Sequence, residues 1–138
     1  MTAATISEPV AETLGRTSQR TGWALSGLAI AFLAADAAGK LLAPELMIAN
    51  SPPLGLPVDP GFYRLLGAIL AICTALYAWP RTSILGAVLL TGYFGGAIAT
   101  HLRIDSPLLT HTLFGVYLGL LIWTGLWLRD ARVRAFIN

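Results

Sequence analysis

The stretch "SILGAVLLTGYFGGAIAT", residues 83–100, holds no charged side chain and no polar stripe. A helix on a soluble bundle repeats polar residues every three or four positions, where it meets water. Here glycine, alanine and large aliphatic residues run all the way round. At about 1.5 Å per residue, the run to residue 102 is about 30 Å long, the thickness of a bilayer's hydrocarbon core. The pattern predicts a transmembrane helix over 83–102.

Working outward, three further apolar runs of about the same length appear over 23–43, 62–79 and 108–128. The composition agrees. Of the 138 residues 56% are hydrophobic and 12% charged, half the charge of a usual soluble domain. The expectation is an all-α, integral membrane four-helix bundle. It divides into a polar segment over 1–20, a membrane domain over 21–130 and a basic tail over 131–138. The stretches "PRT" (80–82) and "RIDSP" (103–107) are tight connections, so the last three spans should be antiparallel neighbours. Residues 44–61 form a longer, Pro-rich loop. The segment over 1–20 reads as a mobile stretch or a short surface helix. A basic region upstream of the first span and Ala35-Asp36-Ala37 would suit a cleaved signal peptide, but the apolar run is longer than a signal's.

Basic residues set the expected orientation. Arg16, Arg20, Arg81, Arg129, Arg132 and Arg134 fall on the side of the termini, against Lys40, Arg64 and Arg103 on the other. The excess places both termini in the cytoplasm. Trp23, Trp79, Trp123 and Trp127 lie near that boundary, as an aromatic belt does. The net charge of +2 is too small and dispersed for nucleic-acid binding. A single cysteine, Cys73, excludes an intrachain disulfide and a CxxC metal or dithiol site. Buried in mid-span, it reads as a small hydrophobe.

The ionisable residues inside the spans collect on the outer side. Asp36 and Lys40 end the first span, Arg64 begins the second, His101 and Arg103 end the third, and His111 begins the fourth. Asp36 and Lys40 are spaced i,i+4 on one face, acid first, the favourable order. An unpaired Asp at mid-helix costs about 3 kcal/mol, so Asp36 should face the bundle and find a donor among Lys40, Arg64, His101 and His111. Lys40 is long enough to snorkel to the interface, and Arg64 and Arg103 fit anchoring at helix ends. The cluster could bind a lipid headgroup or a quinone carbonyl, exchange protons, or fix helix packing. Two imidazoles also suit haem or zinc, but no HxxxH pair and no second carboxylate at helical spacing supports either.

Small residues form ridges at Gly92-x-x-x-Gly96, at Gly115-x-x-x-Gly119, and along Gly27, Ala31, Ala35 and Gly39. Such ridges let helices approach closely in lipid. Packing within the bundle is the plain expectation; homo-oligomerisation, or docking into a larger membrane complex, is the sharper one.

The block "FLAADAAGKLL" and the run from "ICTALYAWPRT" through "TGYFGGAIATHLR" and "THTLFGVYLG" to "RDARVRA" resemble the DoxX-like family of small bacterial inner-membrane proteins, over about residues 21–135. The resemblance implies four helices with both termini inside. The wider DoxX and DoxD group includes subunits of a thiosulfate:quinone oxidoreductase and relatives linked to thiol or oxidative-stress chemistry. The missing cysteine pair speaks against direct thiol–disulfide chemistry here. Asp36, Lys40, His101, Arg103 and His111 lie in the best-matching blocks. The expected role is a binding or accessory subunit of a quinone-linked membrane redox system. A scaffold acting through the glycine ridges and a stand-alone enzyme are the alternatives.

Overall fold

A computed structural model describes residues 8–137. The first helix, α1 (Glu8–Leu42), is followed by α2 (Pro44–Asn50), α3 (Pro60–Ala78), α4 (Ser83–Arg103), a π-helical turn (Leu108–Thr112), α5 (Phe114–Arg129) and α6 (Ala131–Ile137). Four segments are long and apolar enough to cross a membrane: Gly15–Leu42, Pro60–Ala78, Ser83–Arg103 and Leu108–Arg129. They form a ring in chain order, α1 beside α3 and α5, and α4 beside α3 and α5. One end of the ring, the terminal end, carries the α3–α4 hairpin and the described termini. The other, the loop end, carries α2 and the longer connections.

Several boundaries differ from the sequence expectation, each for a local reason. Residues 8–20 continue α1 rather than standing apart; residues 1–7 lie outside the described residues. Pro44 stops α1, because the residue before a proline is pushed out of the helical region, and Ala43 sits at φ −136°, ψ 56°. The same Pro44 then occupies the first turn of α2, where its missing N–H costs nothing. The first part of the expected Pro-rich loop is therefore a helix. Asp59 caps α3 by accepting from Phe62 N at 2.9 Å, ahead of Pro60. The basic tail is helical through Ile137; Asn138 lies outside the described residues. Asp130 starts it by accepting from Arg132 N at 2.9 Å.

The terminal half packs tightly. Gly86 of α4 lies against the α3 backbone, where a Cβ would fall 2.2 Å from Tyr77 N. Gly22 of α1 and Gly125 of α5 face each other the same way, with a Cβ on Gly22 falling 2.8 Å from Gly125 O. The buried Tyr77 hydroxyl donates to Ile122 O at 2.8 Å and accepts from Ser26 Oγ at 2.9 Å, tying α3 to α5 and α1. Arg129 is only 8% exposed. Its Nη2 donates to Tyr77 O at 2.9 Å, and the guanidinium lies 4.2 Å from the Trp23 ring centroid and 4.9 Å from that of Tyr77. A cation over aromatic faces is stabilised without a counter-charge. Cys73 is buried in the apolar core, beside Leu33, Leu70, Leu90 and Phe94.

Candidate functional site

Toward the loop end the ring opens. α3 leans on α1, where Gly67 makes room for the Lys40 Cβ and the Ala37 carbonyl. α4 leans on α5, where Gly115 meets Ile98 and the Phe94 carbonyl. Between the two pairs lies a cavity of about 520 Å³, within the range of about 300–1,000 Å³ typical of small-molecule pockets. All four spans line it. Leu33, Leu66, Leu70, Phe94 and Leu118 make an apolar body, and Met47, Leu54 and Leu56 cover it from α2 and the following loop.

Four of the six residues singled out from sequence border this cavity: Asp36, Lys40, His101 and His111. Lys40 Nζ is paired with Asp36 Oδ2 on the same face of α1. The lysine is the more buried partner, so it turns inward to the carboxylate instead of snorkelling. Neither histidine serves as the donor to Asp36. His101 Nδ1 shares a hydrogen bond of 3.0 Å with Ser106 Oγ, and His111 Nδ1 one of 2.8 Å with Thr110 Oγ1. Both Nε2 atoms are left without a hydrogen-bond partner among the described residues. The ring centroids are 5.9 Å apart. Wide π-type turns occur often at functional sites, and here the turn over Leu108–Thr112 carries His111 to this position beside His101.

Arg64 and Arg103 stand apart from the cavity wall. Arg64 is exposed at the start of α3. Arg103, exposed at the end of α4, also has partners within the chain: its Nη2 donates to Leu54 O at 2.8 Å and Gly55 O at 3.3 Å, clasping the loop that roofs the cavity. Gly55 has φ +63° and its Cα faces the guanidinium, so a side chain there would be strained and would crowd Arg103.

Sequence reasoning did not find Tyr63 and Tyr93, which also line the cavity. Their signal was present, since both lie at the depth of the polar cluster, but four tyrosines on three helices gave no way to choose. Tyr117 serves a local purpose, donating to Leu109 O at 3.0 Å across the π-turn. The glycine ridges need correction. A Cβ on Gly27, Gly92, Gly96 or Gly119 would meet nothing within 4 Å, so these glycines do not pack the bundle; Gly22, Gly67, Gly86, Gly115 and Gly125 do. Among the described residues no three His, Cys, Asp or Glu side chains converge as a metal-ligand set.

The arrangement offers an apolar chamber with an anion, a cation and two imidazoles on its wall. It can take an apolar body and hydrogen-bond a polar head. The sequence profile of the DoxX-like family matches residues 24–125, most of the chain, and the chain belongs to that family. No curated protein and no solved structure matches it.

Proposed function

We propose that this DoxX-like membrane protein is a binding or accessory subunit of a quinone-linked redox system. Its terminal end faces the cytoplasm of a bacterial inner membrane, as the six arginines on that side favour. The observation that carries the reading is the cavity itself. A quinone is a flat, apolar molecule with two carbonyl acceptors. The apolar walls suit its ring and chain, and the free imidazole Nε2 atoms and the Lys40 ammonium suit its carbonyls. Asp36 orients Lys40 toward the cavity wall, because the two pair on one helix face. The accessory role follows from what the family resemblance implies, a subunit working beside an electron-transfer partner.

The test is native mass spectrometry of the protein in nanodiscs supplied with a short-chain ubiquinone. Wild type should retain the quinone mass. His101→Ala should bind about ten-fold more weakly, the loss of one good hydrogen bond to a buried acceptor, with the thermal midpoint lowered by no more than about 4 °C. A wild-type protein that stays bare in excess quinone overturns the reading. A co-purified subunit in its place shifts the assignment to a scaffold, for which the open Gly27 and Gly119 surfaces leave room.

A further inference from the structure

We propose that the cavity is filled sideways from the lipid, through a doorway that Gly92 and Gly96 keep open on the α3 flank of α4. The inference rests on the ligand-holding reading above and adds the route, and with it the ligand class: an amphiphile already dissolved in the bilayer.

Three observations converge. First, the water-facing end is roofed. Met47, Leu54 and Leu56 lie over the cavity, and Arg103 holds the roof by two backbone carbonyls. A polar solute from the aqueous side would have to break that clasp and cross an apolar lid.

Second, the α3–α4 pair is a wedge. The helices touch backbone to backbone at Gly86, near the hairpin. Beyond it, Gly67 draws α3 to α1 and Gly115 draws α4 to α5. At the loop end the cavity lies between them, with Tyr63 and Leu66 of α3 and Tyr93 and Ala97 of α4 on its wall.

Third, Gly92 and Gly96 stand beside the α3–α4 seam on the outward side of α4, turned about 120° and about 80° from the α3-facing Gly86 at 3.6 residues per turn. Both border the cavity, both are exposed, and a Cβ on either would meet nothing within 4 Å. At 3.6 residues per turn they fall on the same side of α4 as Arg103, within about 40° of one another. Arg103 from that side reaches the loop leading into α3, which identifies the flank. Small residues on a membrane helix ordinarily admit a neighbouring backbone; among the described residues no helix occupies that space. What they leave is a gap about one helical turn, or about 6 Å, along the axis, in a wall that leads to Asp36, Lys40 and the histidines.

The experiment reads access without relying on any one ligand. In nanodiscs, a Cys73→Ala protein carrying Ala97→Cys on the cavity wall is labelled with a lipid-dissolved maleimide and, separately, with a charged water-borne thiosulfonate. The lipid-borne reagent should react readily. Adding Gly92→Leu and Gly96→Leu should slow it at least ten-fold, while Gly119→Leu, equally open but away from the cavity, should leave the rate unchanged. Gly92→Leu alone serves if the double variant fails to fold. Arg103→Gln should speed the charged reagent and leave the lipid-borne rate as it was. Labelling that is indifferent to leucine at the doorway overturns the proposal, and so does faster reaction from water than from lipid in the unmodified doorway. The two readings fail separately. A doorway that behaves as described in a protein that takes no quinone removes the quinone assignment and leaves a lipid or fatty acid as the amphiphile. A quinone that binds at the same rate with the doorway filled removes the route alone.

Discussion

On α4, three glycines within three turns have contrasting surroundings. A Cβ on Gly86 would fall 2.2 Å from Tyr77 N and 2.5 Å from Tyr77 Cα, whereas Gly92 and Gly96, within two to three turns, meet nothing within 4 Å. The polar groups within the spans also differ between the two ends. In the terminal half, Ser26, Tyr77 and Arg129 spend their hydrogen bonds on neighbouring helices and fill their space. In the loop half, Asp36, Lys40, His101 and His111 surround a void, with bonds made only to residues close in sequence. One half is a clamp and the other a chamber. The clamp is what allows the chamber: helices fixed to each other at one end can stand apart at the other without separating.

The sharpest way to break this comparison is to put the same methyl group at both places on α4. Gly86→Ala sets a Cβ into backbone that has no rotamer to yield, and should cost about 3 kcal/mol or more. Gly92→Ala adds its methyl to open space on a helix, where alanine is favoured over glycine by up to about 1 kcal/mol. Thermal unfolding in mild detergent should show a steep loss for the first and no loss, or a slight gain, for the second. Equal effects would mean that the face of α4 carrying Gly92 is packed as closely as the face carrying Gly86.

A smaller contrast concerns hydroxyl and imidazole. Tyr77→Phe removes one acceptor and one donor from a dry junction of three helices, leaving the Ser26 hydroxyl and the Ile122 carbonyl unpaired. The expected loss is about 1–3 kcal/mol. Truncating His101 beside the cavity should cost less than about 1 kcal/mol, since no cross-helix bond depends on it. Denaturation midpoints of the two variants in the same detergent decide the ordering; the reverse order would place the structural keystone in the chamber.

The four spans were legible from run length alone, because the bilayer imposes one thickness on every helix. So was the gathering of Asp36, Lys40, His101 and His111, since antiparallel helices of equal length bring equal depths together. The spacing of the glycines did not disclose which of them touch a neighbour. Gly92-x-x-x-Gly96 and Gly115-x-x-x-Gly119 have the same local pattern, and only the lean of each helix separates contact from gap. Arg129 looked like one more cytoplasmic cation at a helix end; its burial depends on Trp23 and Tyr77 arriving from two other helices. The loop partners of Arg103 were not legible either, because they are carbonyls, which every residue has. The helix over Pro44–Asn50 was hidden by its own start signal, a proline that ends one helix and begins the next.

The smallest expected effect lies at the outermost part of the clamp, where Asp130 holds α6 to the hairpin. Arg132 donates to both oxygens of Asp130, from Nη2 at 2.7 Å and from Nε at 3.1 Å, and also reaches Pro80 O at 2.6 Å; Ser83 Oγ lies 3.4 Å from the carboxylate. The hydrogen bond from the Arg132 side chain, foremost, holds the Asp130 carboxyl below the usual carboxylate range, against the opposing effect of its partial burial. A carboxyl whose pKa is lower folded than unfolded stabilises the fold above its unfolded value, about 3.9, and that contribution is lost as pH falls through the folded value. Nothing at this corner should therefore change between pH 7 and pH 5, and α6 should loosen only below about pH 4. A nitroxide on exposed Ala135 would report this as a sharper resonance spectrum in acid. Asp130→Asn should already give the looser spectrum at pH 7 and lose its dependence on acid. A wild-type spectrum that is the same at pH 3 and pH 7 would show that α6 is held by the seating of Val133 and the Arg134 bonds to Trp127 O and Leu128 O instead, and that the clamp ends at Arg129.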